Sequence, residues 1–189
     1  MSHEGGPPFA GGEAPFVRRL VASDSQELTR FFIANDRPDT RQHFHPFPLD
    51  GETARRLTTS PGRDLYFGIF LGRRLAGFFM LRGWNEGYDI PSFGVLVGEA
   101  ERGTGLGRLA VREAVAAARR AGAPAVRLSV GDENMRAFGL YLSEGFSVSD
   151  SRESVVDGRT VRSLILTRSL GEAEGSGAGA GEKGTGGFA

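Results

Sequence analysis

Arg102-Gly-Thr-Gly-Leu-Gly107 is the segment of this 189-residue chain whose residue types and spacing best suit chemistry. An apolar run (Phe93, Val95, Leu96, Val97) precedes it, and an Ala-rich stretch of helical periodicity follows. Backbone N–H groups at a helix start lack intrahelical partners, and the helix dipole adds partial positive charge there. Glycine lets an anion come close to both. A phosphorylated ligand is therefore expected at this loop.

Several elements must position the loop. Ser92–Val97 reads as the strand before it, introduced by Pro91. The helix after Gly107 carries Leu109, Ala110, Ala114, Val115 and Ala118 on one broad face and stops at Gly122. Val126, Leu128 and Val130 alternate as a strand, and Asn134 caps a helix through Ser143 that Gly145 ends. Upstream, Phe16 to Leu20 reads as a strand. Ser23-Asp-Ser-Gln26 reads as a capping box ahead of a helix bearing Leu28, Phe31 and Phe32, and Gly51 to Thr59 as a second helix stopped before Pro61. Tyr66–Leu71 and Leu75–Leu81 form a hairpin around Gly72-Arg73-Arg74. Phe146–Val156 and Thr160–Arg168 form another around Asp157-Gly158. The order β-α-α-β-β-β-α-β-α-β-β predicts a mixed, mostly antiparallel α/β sheet with one central βαβ unit and helices on both faces. One domain is expected over residues 16–170, between a disordered Gly/Pro-rich extension (1–15) and a disordered Gly-rich tail (171–189).

Composition removes several function classes. Basic side chains number 23 and acidic ones 23, so there is no basic surplus of the kind that drives nucleic-acid binding. The absence of cysteine excludes disulfides, thiolate metal sites and a cysteine nucleophile, and no metal is expected. No apolar run reaches membrane-spanning length and Met1 to Phe16 has no leader pattern, so the expected location is the cytoplasm, with no membrane partner.

Three kinds of phosphate-binding turn compete for the loop. A P-loop needs Gly-Lys-Ser/Thr, which is missing near Gly103. Gly105-Leu-Gly107-Arg-Leu-Ala110 fits the dinucleotide fingerprint, but Gly98 to Arg102 separates it from its strand, hairpin strands precede it, and too little chain follows for a second mononucleotide half. A tight turn without a ligand also stays open. The third kind is a pyrophosphate cradle. Arg102-Gly-Thr-Gly105-Leu-Gly107 resembles the R/Q-x-x-G-x-G/A signature of the GNAT superfamily of N-acetyltransferases. Asn134, Ala137, Tyr141, Gly145 and Phe146 resemble its N-x-x-A-x-x-x-Y-x-x-x-G-F pattern at matching spacing. The resemblance is strongest over Ser92–Phe146 and weak before Tyr66.

That resemblance implies a βαβ core that binds acetyl-CoA as co-substrate, and attack of an amine on its thioester. Backbone N–H groups of Arg102, Gly103, Thr104, Gly105, Leu106 and Gly107 would hold the pyrophosphate, with the Thr104 and Arg108 side chains adding contacts. Arg108 reads equally as a solvated helix residue. A bulge in the preceding strand would splay it from the next, so that pantetheine pairs with the backbone of Val95, Leu96 and Val97 and a freed N–H polarises the thioester carbonyl. Tyr141 would protonate the departing thiolate, since a phenol of pKa about 10 donates at neutral pH; its other reading is a core aromatic beside Phe138 and Phe146. Asn134 caps its helix and would touch CoA.

The base and the acceptor are less constrained. Many members of the superfamily carry a carboxylate on the strand before the loop, and Ser92–Val97 has none. Glu99 and Glu101 read as solvated loop charges. Glu86 is the expected base, with Asp89 beside it and His43 and His45 as alternatives, although an amine arriving partly neutral needs none. The acceptor pocket is expected from Arg41–Leu49 and Arg82–Pro91, with His45, Trp84 and Tyr88 as substrate contacts; Trp84 reads also as a strand-end core residue. Such linings suit an amino sugar, an amino acid or a peptide terminus. Two functions follow: an N-acetyltransferase working by direct transfer, as monomer or homodimer, or a CoA-binding sensor or partner-binding module that has lost chemistry.

Overall fold

The strand Arg74–Arg82 (β3) is buried on both sides, with Phe79 and Leu81 on one face and Phe78 and Met80 on the other. Successive strand residues point to opposite faces, so the sheet built around β3 must be covered twice. The computed structural model describes residues 13–44, 46–156 and 159–171; the expected extension before Glu13, the tail after Gly171, the Asp157-Gly158 turn and His45 lie outside the described residues. The other strands are β1 (Phe16–Arg19), β2 (Leu65–Leu71), β4 (Ser92–Val97), β5 (Ala125–Gly131), β6 (Ser147–Val156) and β7 (Arg159–Ser169). The helices are α1 (Ser25–Asn35), α2 (Pro38–His43), α3 (Gly51–Thr59), α4 (Leu106–Arg120) and α5 (Met135–Ser143). Strand order is β1-β2-β3-β4-β5-β7-β6, antiparallel throughout except for β4 beside β5. This is the mixed, mostly antiparallel architecture expected.

Two cores follow from the two faces. Leu28, Phe31, Phe32, Ala54 and Leu57 of α1 and α3 pack on Phe70, Phe78 and Met80. Ala110, Val111, Ala114 and Ala118 of α4 pack on Phe79, Leu81, Phe93, Val126 and Leu128. Each fully buried large apolar side chain contributes about 1.5–3 kcal/mol. Among the described residues no helix is long and apolar enough to cross a membrane.

Three local readings need correction. The Ser23-to-Gln26 capping box does not form. A 3-10 turn at Ala22–Asp24 precedes α1, and the Asp24 carboxylate instead accepts from the Val21 N–H at 2.9 Å, held by two 2.6 Å bonds from Arg18 of β1. The stretch after α1 contains a further helix, α2, with Pro38 at its start, where the missing N–H costs nothing. Its residues Pro-Asp-Thr-Arg-Gln-His offer no apolar periodicity to announce it. Glu101 is not solvated: it is buried in a 3-10 turn (Glu99–Glu101), and its carboxylate receives Arg74 at 2.7 Å.

Candidate active site

The sheet parts between β4 and β5. They pair only at Ser92 and Arg127, where the Arg127 N–H donates to Pro91 O at 3.0 Å. β4 keeps unbroken register with β3 from Arg82↔Ser92 to Gly77↔Val97, so the expected bulge is absent. The separation comes instead from β5, which follows β7 over its whole length, from Ala125↔Ser169 to Gly131↔Ser163. A slot of about 680 Å³ opens there, within the ordinary range for a small-molecule site. Val95–Val97 and Ser129–Gly131 form its walls, Asp39, Thr40, His43 and Phe44 of α2 and its C-cap flank one side, and α4 and α5 flank the other.

Ladder parity fixes which backbone groups face the slot. Bonding alternates along an antiparallel strand, and Gly98 N–H donates to Ala76 O, so even-numbered residues of β4 turn their amides to β3. Pro91 O, which receives Arg127, shows that odd-numbered ones turn toward β5. Beyond Ser92 the β5 partner is gone. The amides of Val95 and Val97 therefore face the slot, while Leu96 is bonded to β3 and its side chain is buried.

At the mouth of the slot the chain supplies anion donors. Gly103 (φ 90°) and Gly105 (φ 96°) take left-handed conformations that L side chains rarely adopt. The first helical bond of α4 runs from Leu109 N–H to Gly105 O, so the N–H groups of Leu106, Gly107 and Arg108 have no intrahelical acceptor. Arg102 and Thr104 differ: their N–H groups close the preceding turn onto Glu99 O and Glu101 O, and the Thr104 hydroxyl also donates to Glu101 O at 2.7 Å. The Leu106 side chain is buried in the core.

The arginines are used differently from expectation. Arg102 is bound to Asp39 at 2.7 Å and to the Thr40 hydroxyl at 3.3 Å, bracing the loop to α2. Arg108 bonds the buried carboxylate of Glu144, which Arg112 also meets at 3.0 Å. Burial alone would raise the Glu144 pKa, but the bonds from Arg112 and Arg108 outweigh it and hold the carboxyl below its ordinary range. Arg136 of α5 was not foreseen. Its Nη2 lies 2.9 Å from where a Cβ on Gly103 would stand, and it has no ion pair among the described residues. The signal was the positive charge two residues after Asn134.

Tyr141 lines the slot from α5. Its ring meets Phe93 edge-on at 6.3 Å and Phe146 at 6.1 Å. Burial pushes its pKa up to about 12. Its hydroxyl makes no hydrogen bond among the described residues, yet it is not among the fully enclosed unpaired atoms, so it still reaches the slot. Asn134 also lines the slot, and its side chain caps α5 by accepting from Ala137 N–H at 3.1 Å. Such a cap contributes roughly 1 kcal/mol.

The model of the acetyltransferase (GNAT) family matches residues 26–146, more than half of the chain. The chain belongs to the GNAT acetyltransferase family. It is an acyltransferase, and acetyl-CoA is its co-substrate. Solved structures share the fold. A GNAT-family acetyltransferase from Streptococcus pneumoniae is 20% identical, with TM-score 0.69, 84% of this chain covered and 100% of that one. The ribosomal-protein-S18-alanine N-acetyltransferase from Escherichia coli is 18% identical, with TM-score 0.66 and coverages of 87% and 99%. The yncA protein of Salmonella typhimurium, solved with its cofactor acetyl-CoA, is 20% identical, with TM-score 0.66 and the same coverages. No protein of curated function matches the chain in sequence. The parted strands, the unpaired donors of the α4 start and Arg136 fit a bound pantetheine and pyrophosphate.

The acceptor residues expected for this GNAT acetyltransferase are dispersed. Glu86 is exposed, outside the slot lining, and 3.5 Å from Arg82. Trp84 is 5% exposed within the α4-side core, so its ring packs and does not line the slot. Tyr88 and Asp89 are exposed in the turn after β3, also outside the lining. His43 does line the slot.

Proposed function

We propose that the chain moves the acetyl group of acetyl-CoA to a primary amine of a small molecule or peptide by direct transfer. The observation that carries this reading is the pair of Val95 and Val97 amides facing the slot that Tyr141 lines. An N–H aimed at the thioester carbonyl stabilises the charge that develops on its oxygen. Acetyl-CoA supplies the activated acyl group, and Leu106, Gly107 and the glycines of the loop bind its pyrophosphate. Tyr141, kept neutral by burial, gives its proton to the sulfur that leaves.

Among the slot's titratable side chains, Asp39 is held by Arg102, whose bond keeps its carboxyl below the usual range, and Glu101 is held by Arg74. His43 has no hydrogen bond or ion pair among the described residues, so it replaces Glu86 as the group that takes the amine's proton. The test is thiol release across a panel of amines. Turnover that falls in both Tyr141→Phe and His43→Gln supports the reading. A melting shift with acetyl-CoA but no transfer to any amine would leave a CoA sensor instead.

A further inference from the structure

Arg82 Nε is the one buried side-chain polar atom without a hydrogen-bond partner among the described residues. Buried donors are almost always satisfied, and an exception calls for a partner such as a water or an ion, or for a functional role. The rest of the guanidinium is also loosely held. Its one ion pair among the described residues is the 3.5 Å contact with Glu86, an exposed carboxylate four residues on. The Phe47 ring lies 5.8 Å from its central carbon.

The acceptors around it are committed elsewhere or do not reach the Nε. Tyr66, beside Met80 in the β2–β3 register, is buried and its hydroxyl makes no hydrogen bond among the described residues. Asp64 is committed to the turn after β3, because its Oδ1 accepts the N–H groups of Gly83, Trp84 and Asn85 at 3.0, 3.0 and 3.2 Å. None of these groups meets the Arg82 Nε, which is left open to a further acceptor.

Arg82 is outside the slot lining, and the cluster adjoins the slot through Phe44. Arg82 stands opposite Ser92, three residues before Val95, which is about 10 Å along the strand. It shares the α1–α3 face with Phe78 and Met80, and Phe44, which lines the slot, packs against Phe47 at 5.8 Å. A ligand whose amine reaches Val95 can place a second group at Arg82 only if the two are within about 10 Å.

We propose that Arg82 receives the carboxylate of the acceptor, so that the substrates are amines of the amino-acid class. The planar guanidinium fork matches a carboxylate with two parallel bonds, and the incoming group replaces Glu86 as its partner. The proposal rests on the N-acetyltransferase reading above.

The test compares each common L-amino acid with its carboxamide and its decarboxylated amine, with O-phosphoethanolamine as a phosphate-bearing arm. At least one amino acid should show kcat/KM ten-fold or more above both of its counterparts that lack the carboxylate. That ratio should fall to about one in Arg82→Met and be only partly kept in Arg82→Lys, which preserves charge without the fork. Equal use of amines and amides, a ratio that persists in Arg82→Met, or preference for O-phosphoethanolamine over every amino acid would overturn it. If no acceptor is turned over, the transferase reading fails separately, and Arg82 is tested by binding. Trp84, the only tryptophan, sits two residues away. A saturable fluorescence change with an amino acid, lost in Arg82→Met, sustains the carboxylate site; no saturable change with any amino acid overturns it.

Discussion

On the α4 side of the slot, the groups offered to a ligand belong mostly to the backbone: Gly103, Gly105, the first turn of α4, and the amides of Val95 and Val97. On the α1–α3 side they are side chains: His43 and Phe44 at the end of α2 line the slot, and Phe47, Tyr66 on β2 and Arg82 on β3 lie behind Phe44. The charged side chains nearest the phosphate loop mostly brace it, Arg102 to α2 and Arg108 to Glu144. Those on the other face are left short of partners. A co-substrate that is always the same can be met by fixed backbone geometry. An acceptor is distinguished by side chains, whose open valences mark where it enters.

Tyr141 lines the slot from the α4-side core, and its loss should be the largest single effect. Tyr141→Phe is expected to lower kcat by about 100-fold while leaving KM for acetyl-CoA within two-fold, because general acids contribute at that scale to the chemical step. With its pKa pushed up to about 12, the phenol stays protonated through the working range, so wild-type kcat should show no fall from its ionisation until pH nears that value. A kcat unchanged in the Phe variant would make Tyr141 a packing residue. Next in size is Gly105→Val. The added Cβ meets nothing within 4 Å, so the cost is backbone strain at φ 96°, roughly 1–2 kcal/mol. Calorimetry should find acetyl-CoA bound about ten-fold more weakly. A lower Tm with unchanged affinity would reduce the loop to a tight turn.

The same division explains what could be read from the sequence. Gly51–Thr59 and the succession of strands along the chain were legible because apolar period and glycine positions act locally. The glycine turn was legible for the same reason, since Gly103 and Gly105 sit where positive φ is needed. What failed depended on partners that periodicity and glycine spacing do not reveal. Glu101 looked like a loop charge until Arg74, 27 residues earlier, reached it, and Thr104 looked like a ligand until its hydroxyl was found on Glu101 O. Trp84 and Glu86 looked like one aromatic-polar pocket, yet the turn that Asp64 organises sends the ring inward and leaves Glu86 outside the slot. Arg82 gave no local sign, because an unsatisfied atom is defined by what surrounds it.

Arg136→Ala sharpens the comparison from the cofactor side, where this residue is the exception to backbone binding. Its guanidinium is exposed beside Gly103, so solvent screens it and the effect is modest. KM for acetyl-CoA should rise about three- to ten-fold at low salt and less at high salt. KM for the acceptor should not move. A shift in acceptor KM would break the division of the slot into two regions.

Glu144→Gln should give the smallest effect, and it asks whether Arg108 is a brace or a ligand. Glu144 has a depressed folded pKa, so its contribution to stability is fully present above the ordinary value of about 4.3 and is lost as pH falls through the folded value. The variant should therefore melt about 3 °C lower at neutral pH, with the gap closing as acid protonates the native carboxyl. The Gln side chain also loosens Arg108 beside the slot. If Arg108 only braces α4 against Glu144 at the C-cap of α5, acetyl-CoA affinity and its salt dependence should stay within two-fold of wild type. If the freed guanidinium turns to the pyrophosphate, binding should tighten and become more salt-sensitive, and the phosphate site would then owe more to side chains than its resting geometry indicates.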